Sequence, residues 1–265
     1  MLRRFWQDMT TEDFAGLDAA RVVAVLPVAA IEQHGPHLPL AVDAILNDGI
    51  LKRTLELLPP SFPVTVLPAL PIGRSDEHGD FAGTLSLSPE TVIRLWSEVG
   101  DGVAKAGLRK LVLFNSHGGQ PQLLDIVGRQ LRIRHKMLVV QVNAYRLVDA
   151  SGMFEESEIK HGIHGGAIET SMMLHLRPDL VRVEKIGNFM PASLRLAKDY
   201  AHVQAHGRVP FSWLTQDLNA AGACGDATQA SAARGRELIE QAAQSFRAIL
   251  EEASRMPLDV LKDRA

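Results

Sequence analysis

The chain has 265 residues, 46% apolar and 22% charged, with a formal net charge of −3 and one cysteine, Cys224. That length suits one large α/β domain or two small ones, and it buries enough apolar surface to need no disulfide staple. A lone cysteine cannot form an internal disulfide, which points to a reducing, cytoplasmic setting. The near-balanced charge, with no long basic run, argues against nucleic acid as a partner. No apolar stretch reaches the ~18–20 residues needed to cross a bilayer, and Gln7 and Asp8 interrupt the basic N-terminus before a signal-peptide core can form.

In chain order, the run Val22 to Val28 reads as a buried strand, and the loop after it, Glu32 to Asp43, carries two carboxylates and two imidazoles. A helix is expected from about Asp43 to Leu58, where Ile45, Ile50, Leu51, Leu55 and Leu58 fall on helical spacing before Pro59-Pro60 stops it. Val64 to Leu67 is a second short strand, followed by a Gly- and Pro-rich loop to Leu87. Ser88-Pro89 starts a helix, with Ser88 as N-cap and Pro89 at the first helical position, that runs to about Ala106. Leu111 to Phe114 is a third strand, Pro121 to about Arg134 a helix, and Met137 to Val142 a fourth strand. This alternation predicts a doubly wound α/β fold, a mostly parallel sheet with helices on both faces, read as a single domain over 1–265. A helix is expected within 162–176. No regular pattern emerges over 182–225. A C-terminal helix is expected from about Thr228 to Arg255, capped by Asp226 or Thr228.

Three loops carry the candidate chemistry. The first holds Glu32, His34, His37 and Asp43; the second is Ser116-His117-Gly118-Gly119; the third is His161-Gly162-Ile163-His164-Gly165-Gly166, leading to Glu169. Loops that follow parallel strands emerge at one edge of the sheet and can converge. Carboxylate and imidazole donors there suit Zn2+, Mn2+ or Fe2+. A divalent ion lowers the pKa of its bound water from ~15.7 towards ~7 and so supplies hydroxide for hydrolysis, while a histidine protonates the leaving nitrogen. Asp43 could instead, or as well, cap the helix that follows it. His37 reads equally as a ligand, a residue orienting a ligand, or loop packing. Either His161 or His164 could be the proton shuttle, and the glycines after His164 favour that one. Glu77 and His78 read as solvated loop residues, Met172-Met173 as core, and Cys224 as inert.

Together these motifs resemble the creatininase (creatinine amidohydrolase) family: Glu32-x-His34-Gly35-x-His37-Leu38-Pro39, Asp43, the loop from Ser75 to Leu85, His117-Gly118-Gly119, and His164-Gly165-Gly166-x-x-Glu169-Thr170-Ser171. The resemblance implies a hexamer with two divalent ions per subunit. Glu32, Asp43 and His117 would hold one, and His34, Asp43 and a further carboxylate the other, with Asp43 bridging. In creatininase that further carboxylate lies two residues after the histidine matching His117; here that position is Gly119, and Glu169 is the best replacement. His164 matches the family's active-site histidine. Ile163 stands where creatininase commonly has Glu, and Met153 and Phe154 occupy the region of its substrate-packing tryptophans, departures that point away from creatinine itself. The expected activity is hydrolysis, by metal-bound hydroxide, of a non-peptide C–N bond in a small lactam or formamide-like molecule. The alternatives are a short peptide terminus, a keto-sugar or cyclitol ring, or a metal-stabilised binding protein without turnover.

Overall fold

In the computed structural model, which describes residues 2–262, the first strand, β1 (Val23–Val28), lies in the middle of a four-stranded sheet of order β2-β1-β3-β4. Its neighbours are β2 (Val64–Val66), β3 (Lys110–Asn115) and β4 (Leu138–Asn143), and every pairing is parallel. Successive side chains of β1 alternate between the two faces, and both are covered, so all six residues are buried and the strand reads as one continuous apolar run.

The helices divide between those faces. Val23 and Val25 pack with α1 (Val42–Leu57), while Ala24, Leu26 and Val28 pack with α2 (Pro89–Lys105) and α3 (Pro121–His135). This division follows from the strand order. The chain moves one way from β1 to β2 and back the other way to β3, and a right-handed crossover puts its helix on opposite faces for opposite directions of travel. The point of reversal lies between β1 and β3, whose last residues, Val28 and Asn115, are register partners. Where the two strands end, the Val28 carbonyl accepts a last backbone bond from Ser116 N (3.2 Å). Asn47 of α1 supplies donors: its Nδ2 reaches the Val28 carbonyl (3.1 Å) and the Phe114 carbonyl (3.0 Å).

After β4 the chain forms α4 (Glu156–His161) and α5 (Ala167–Leu176). The stretch without a sequence pattern contains β5 (Asn188–Phe189), α6 (Ala192–Asp199), α7 (Thr215–Leu218) and β6 (Gly225–Asp226), with β5 and β6 forming a short antiparallel ribbon. The last helix, α8 (Ala232–Arg255), starts later than expected and is capped by Ser231, whose Oγ accepts from Arg234 N; Asp226 instead caps the short turn at 227–229. The other boundaries fall within a few residues of expectation, and Ser88 does cap α2. Among the described residues no helix is long and apolar enough to cross a membrane.

Helix α8 lies against α1 and α5 and shares their core, where Phe246 stacks on Phe114 of the sheet with ring centroids 4.2 Å apart. Its closest approach is at Gly235, where an added Cβ would sit 1.8 Å from the Ser171 carbonyl oxygen of α5. Backbone cannot yield as a flexible side chain can, so Gly235→Ala must push the two helices apart. The expected cost is about 1–3 kcal/mol, seen as a lower denaturant midpoint with an unchanged slope.

Candidate metal centre

Two of the three candidate loops leave the sheet at the reversal point. The Glu32–Asp43 segment follows β1 and the His117 loop follows β3. The His117 loop is shaped by Asn115, whose Nδ2 donates to the His117 carbonyl (2.6 Å) while its Oδ1 accepts from His117 N (3.1 Å) and Gln120 Nε2 (2.9 Å). The third loop arrives from the other side as the entry to α5. The bridge between His164 and Cys224 and the side chain of Glu158, which accepts from Ala167 N (2.6 Å) and Asp226 N (2.5 Å), hold it in place.

Glu32, His34, Asp43, His117, His164 and Glu169 meet there. His117 Nδ1 is 3.1 Å from Glu32 Oε2 and 3.3 Å from Asp43 Oδ2. His34 Nε2 lies 3.9 Å from Glu32 Oε1, 3.8 Å from Asp43 Oδ1 and 3.9 Å from Glu169 Oε2, and His164 Nδ1 is 3.7 Å from Glu32 Oε1. Asp43 therefore touches both groupings, one with Glu32 and His117, the other with His34 and Glu169. It does not cap its helix: it lies inside α1, whose N-cap is Ala41, and its side chain turns into the cluster.

The second nitrogen of each ring identifies the one that faces the centre. His34 Nδ1 is 3.0 Å from the Glu32 carbonyl, to which it donates, leaving Nε2 as a bare acceptor aimed at the carboxylates. His164 Nε2 donates to the Gln33 carbonyl at 2.6 Å, leaving Nδ1 bare. His161 does not compete for this place, since its Nδ1 meets Ser193 Oγ at 3.1 Å. His37 is also outside the cluster, with Nε2 on Thr170 Oγ1 (2.9 Å) and its ring stacked on Phe189.

Two residues expected in solvent are instead part of the site. His78 is buried, with Nε2 3.6 Å from Glu32 Oε1 and Nδ1 accepting from Gln33 Nε2 at 2.7 Å. Glu77 Oε1 lies 3.2 Å from His117 Nε2, close enough to pair electrostatically but poorly aligned for a hydrogen bond. The signal in the sequence was the grouping of Ser75, Asp76, Glu77 and His78 in a loop rich in glycine. The sequence had no means of showing that the loop folds inward, because the contacts that turn it come from Gln33 and Thr215, far away in the chain. Phe211 and Trp213 line the same cavity.

Burial alone would push every carboxylate here up and every imidazole down. It raises Asp43, and the Glu32 charge adds to the effect. At Glu32 burial is more than offset by His117, His78 and His164, and the group lies well below the usual carboxylate range. His117 is held well above the ordinary histidine value by the same carboxylates, despite burial. His164 is lowered by burial and by His34, and burial brings His78 down to about 2. Glu169 keeps 25% of its side-chain surface open to the cavity, yet burial pushes it up to about 7 while Gly165 N donates to it at 2.6 Å. The buried Cys224 thiol is pushed up to about 12, consistent with an inert residue.

The donor set fits divalent cations. Glu32 Oε2, His34 Nε2 and Asp43 Oδ2 are buried and have no hydrogen-bond partner, an arrangement that is costly unless a cation completes it. A proton on His117 Nδ1, between two carboxylates, occupies the kind of place a metal ion would take. Among the described residues, three sets of side chains have ligand atoms that all lie within 4.8 Å of one another: His34, Asp43 and Glu169; Glu32, His34 and His164; and Glu32, Glu77 and His117. Glu32, Asp43, His117 and Glu169 line a cavity of about 860 Å3 whose wall includes Leu46, Ile50, Val148, Ile168, Met172 and Trp213.

The sequence profile of one family, described as creatinine amidohydrolase (creatininase), matches residues 7–250. The creatinine amidohydrolase of Pseudomonas putida is 31% identical over 206 residues, covering 71% of this chain and 78% of its own. The mycofactocin precursor peptide peptidase of Mycobacterium tuberculosis is 32% identical over 223 residues, covering 81% and 79%. The solved structure of a manganese form of creatininase superposes with a TM-score of 0.75 at 26% identity, covering 94% of this chain and 98% of its own.

A carboxyl near 7 in the metal-free protein must give up its proton to bind a cation. Loading with Mn2+ or Zn2+ below about pH 7 is expected to release a proton from Glu169 in addition to the one on His117 Nδ1, and the Glu169 proton alone lowers the affinity by up to tenfold per pH unit as the pH drops below that value. Calorimetry in buffers of different ionisation enthalpy measures the release, and Glu169→Gln should remove this component.

Proposed function

The chain belongs to the creatininase family, and from that membership we propose that it is a divalent-metal-dependent amidohydrolase. The proposed reaction is cleavage of a C–N bond other than a backbone peptide bond, in a small lactam or formamide-like substrate. The observation that carries this reading is the set of buried, unpartnered donor atoms of Glu32, His34 and Asp43, of which Glu32 and Asp43 line an open cavity. Glu32, Asp43 and His117 would hold one ion, and His34, Asp43 and Glu169 the other, with Asp43 shared. Mn2+ and Zn2+ both suit these donors. Such ions, when bound, lower the pKa of water and polarise a carbonyl oxygen.

The protein's own groups supply orientation and proton transfer. His34 and His164 each have one nitrogen fixed to a backbone carbonyl, so neither ring needs to reorient during reaction. His164 is held neutral by burial, and its bare Nδ1 can accept a proton from the attacking water. The resulting imidazolium would be stabilised by the Glu32 and Glu169 charges, which favour its protonated form, and it would then return the proton to the departing nitrogen. The apolar wall on the Leu46, Ile50 and Trp213 side would take the carbon body of the substrate and limit water at the reacting carbonyl.

A second reading, hydrolysis at the terminus of a short peptide, draws on the cavity's size. A single small ring would leave much of about 860 Å3 unfilled, while a side chain or two would occupy the apolar wall. A turnover panel of lactams, formamides and short peptides separates the two readings. The proposal includes a homo-oligomer, the hexamer that the resemblance implies, with the exposed apolar side chains Met190, Tyr200, Val203 and Val209 as a candidate contact surface. Light scattering that returned the mass of a single chain would remove that part.

Substitution at two positions separates the roles. Asp43→Ala should lose both ions and all turnover, as read by elemental analysis and the panel; full metal content and full activity would refute the site. His164→Ala should keep its metal while kcat falls by about 10²–10⁴-fold. Loss of metal instead would make His164 a ligand.

A further inference from the structure

Position 119 has no side chain, and the space a side chain would fill is taken. A Cβ built on Gly119 would lie 1.6 Å from Glu77 Oε1 and 2.5 Å from His117 Nε2. Glu77 comes from a different loop, more than thirty residues earlier in the sequence.

Contacts on two sides hold the Glu77 segment in this position. Thr215 Oγ1 donates to the Glu77 carbonyl (2.9 Å) and lies 2.8 Å from Nδ1 of the adjacent His78. On the other side, Gln120 Oε1 accepts from Arg74 N (3.1 Å), and Arg74 Nη1 donates to the Gly119 carbonyl (3.2 Å). The loop that carries Glu77 is thus tied directly to the loop that carries His117. The two nitrogens of His117 face in different directions: Nδ1 towards Glu32 and Asp43, and Nε2 towards Glu77 Oε1 at 3.2 Å. His117 Nε2 is buried and has no well-aligned hydrogen-bond partner.

We propose that Glu77 is the positioning residue for His117: its carboxylate occupies the space over Gly119, pairs with Nε2–H and fixes Nδ1 on the metal side of the ring. The inference rests on the reading of His117 as a metal ligand. A carboxylate behind a ligating imidazole fixes its tautomer and raises its basicity, and loss of such a partner typically weakens metal binding about 10–100-fold.

The test is metal affinity, measured by competition of Mn2+ or Zn2+ against a chromophoric chelator, together with metal stoichiometry and the melting temperature of the metal-free protein. Glu77→Gln and Glu77→Ala are expected to bind the same number of ions as the wild type about 10–100-fold more weakly, with the metal-free melting temperature unchanged. Gly119→Glu in the wild-type background should weaken binding more than either, because its Cβ meets both Glu77 and His117.

Glu77→Gln with wild-type affinity would overturn the proposal. Loss of one bound ion in Glu77→Ala would also overturn it, by making Glu77 a direct ligand. If the wild-type protein itself binds no divalent ion, the parent reading of the site fails; if it binds and the Glu77 variants bind equally well, this inference fails alone.

Discussion

The structure depends on an electrostatic constraint: buried carboxylates gathered where there is little water to solvate them. Glu32 and Asp43 have 1% and 2% of their surface exposed, and each lies close to the same nitrogen of His117. Charges so placed would push each other, and the fold, towards a neutral or open state unless positive charge is supplied. In the metal-free protein His117 supplies it, which is why its affinity for a proton rises while that of Glu32 falls. A proton satisfies the arrangement only in part, since Glu32 Oε2 and Asp43 Oδ2 still have no hydrogen-bond partner.

The sheet makes that concentration of charge tolerable by keeping it off the ladder. At the point where the crossover direction reverses, β1 and β3 part and open a crevice at their carboxyl ends, where strands no longer compete for the space. Asn47 closes the crevice from below by taking the Val28 and Phe114 carbonyls, and Asn115 shapes the loop above it. Helix α5, which bears Glu169, is pressed into place by α8 through the contact at Gly235.

Around the cluster lies a layer of neutral polar groups, of which Gln33 is the hub. Its Oε1 accepts from Gly35 N at 2.9 Å, while its Nε2 donates to the Gly222 carbonyl and to His78, both at 2.7 Å. Its backbone carbonyl orients His164. One residue thereby links the loop after β1, the middle loop, the His164 loop and the turn before β6. The rings of His34, His164 and His78 lie in sequence, tilted to one another, with centroids 4.1 and 4.0 Å apart.

The sequence by itself determined the parallel sheet, because continuous apolar runs alternating with amphipathic stretches have few other ways to bury both faces of their strands. It also determined which segments carry the donors, since Glu32, His34 and His117 lie in loops that follow strand ends and Asp43 closes the first of those loops. Tertiary structure alone decided the rest. The short elements between 182 and 225 have no periodicity to read, because they are held by contacts to distant residues and bury no continuous face of their own. Asp43 looked equally able to cap a helix; only the position of α1 over β1 and β3 turned it inward. Glu77 and His78 looked solvated because their partners, Gln33, His117 and Thr215, lie far off along the chain. Local spacing encodes the elements and their order, whereas the approach of one loop to another depends on the packing of the whole chain.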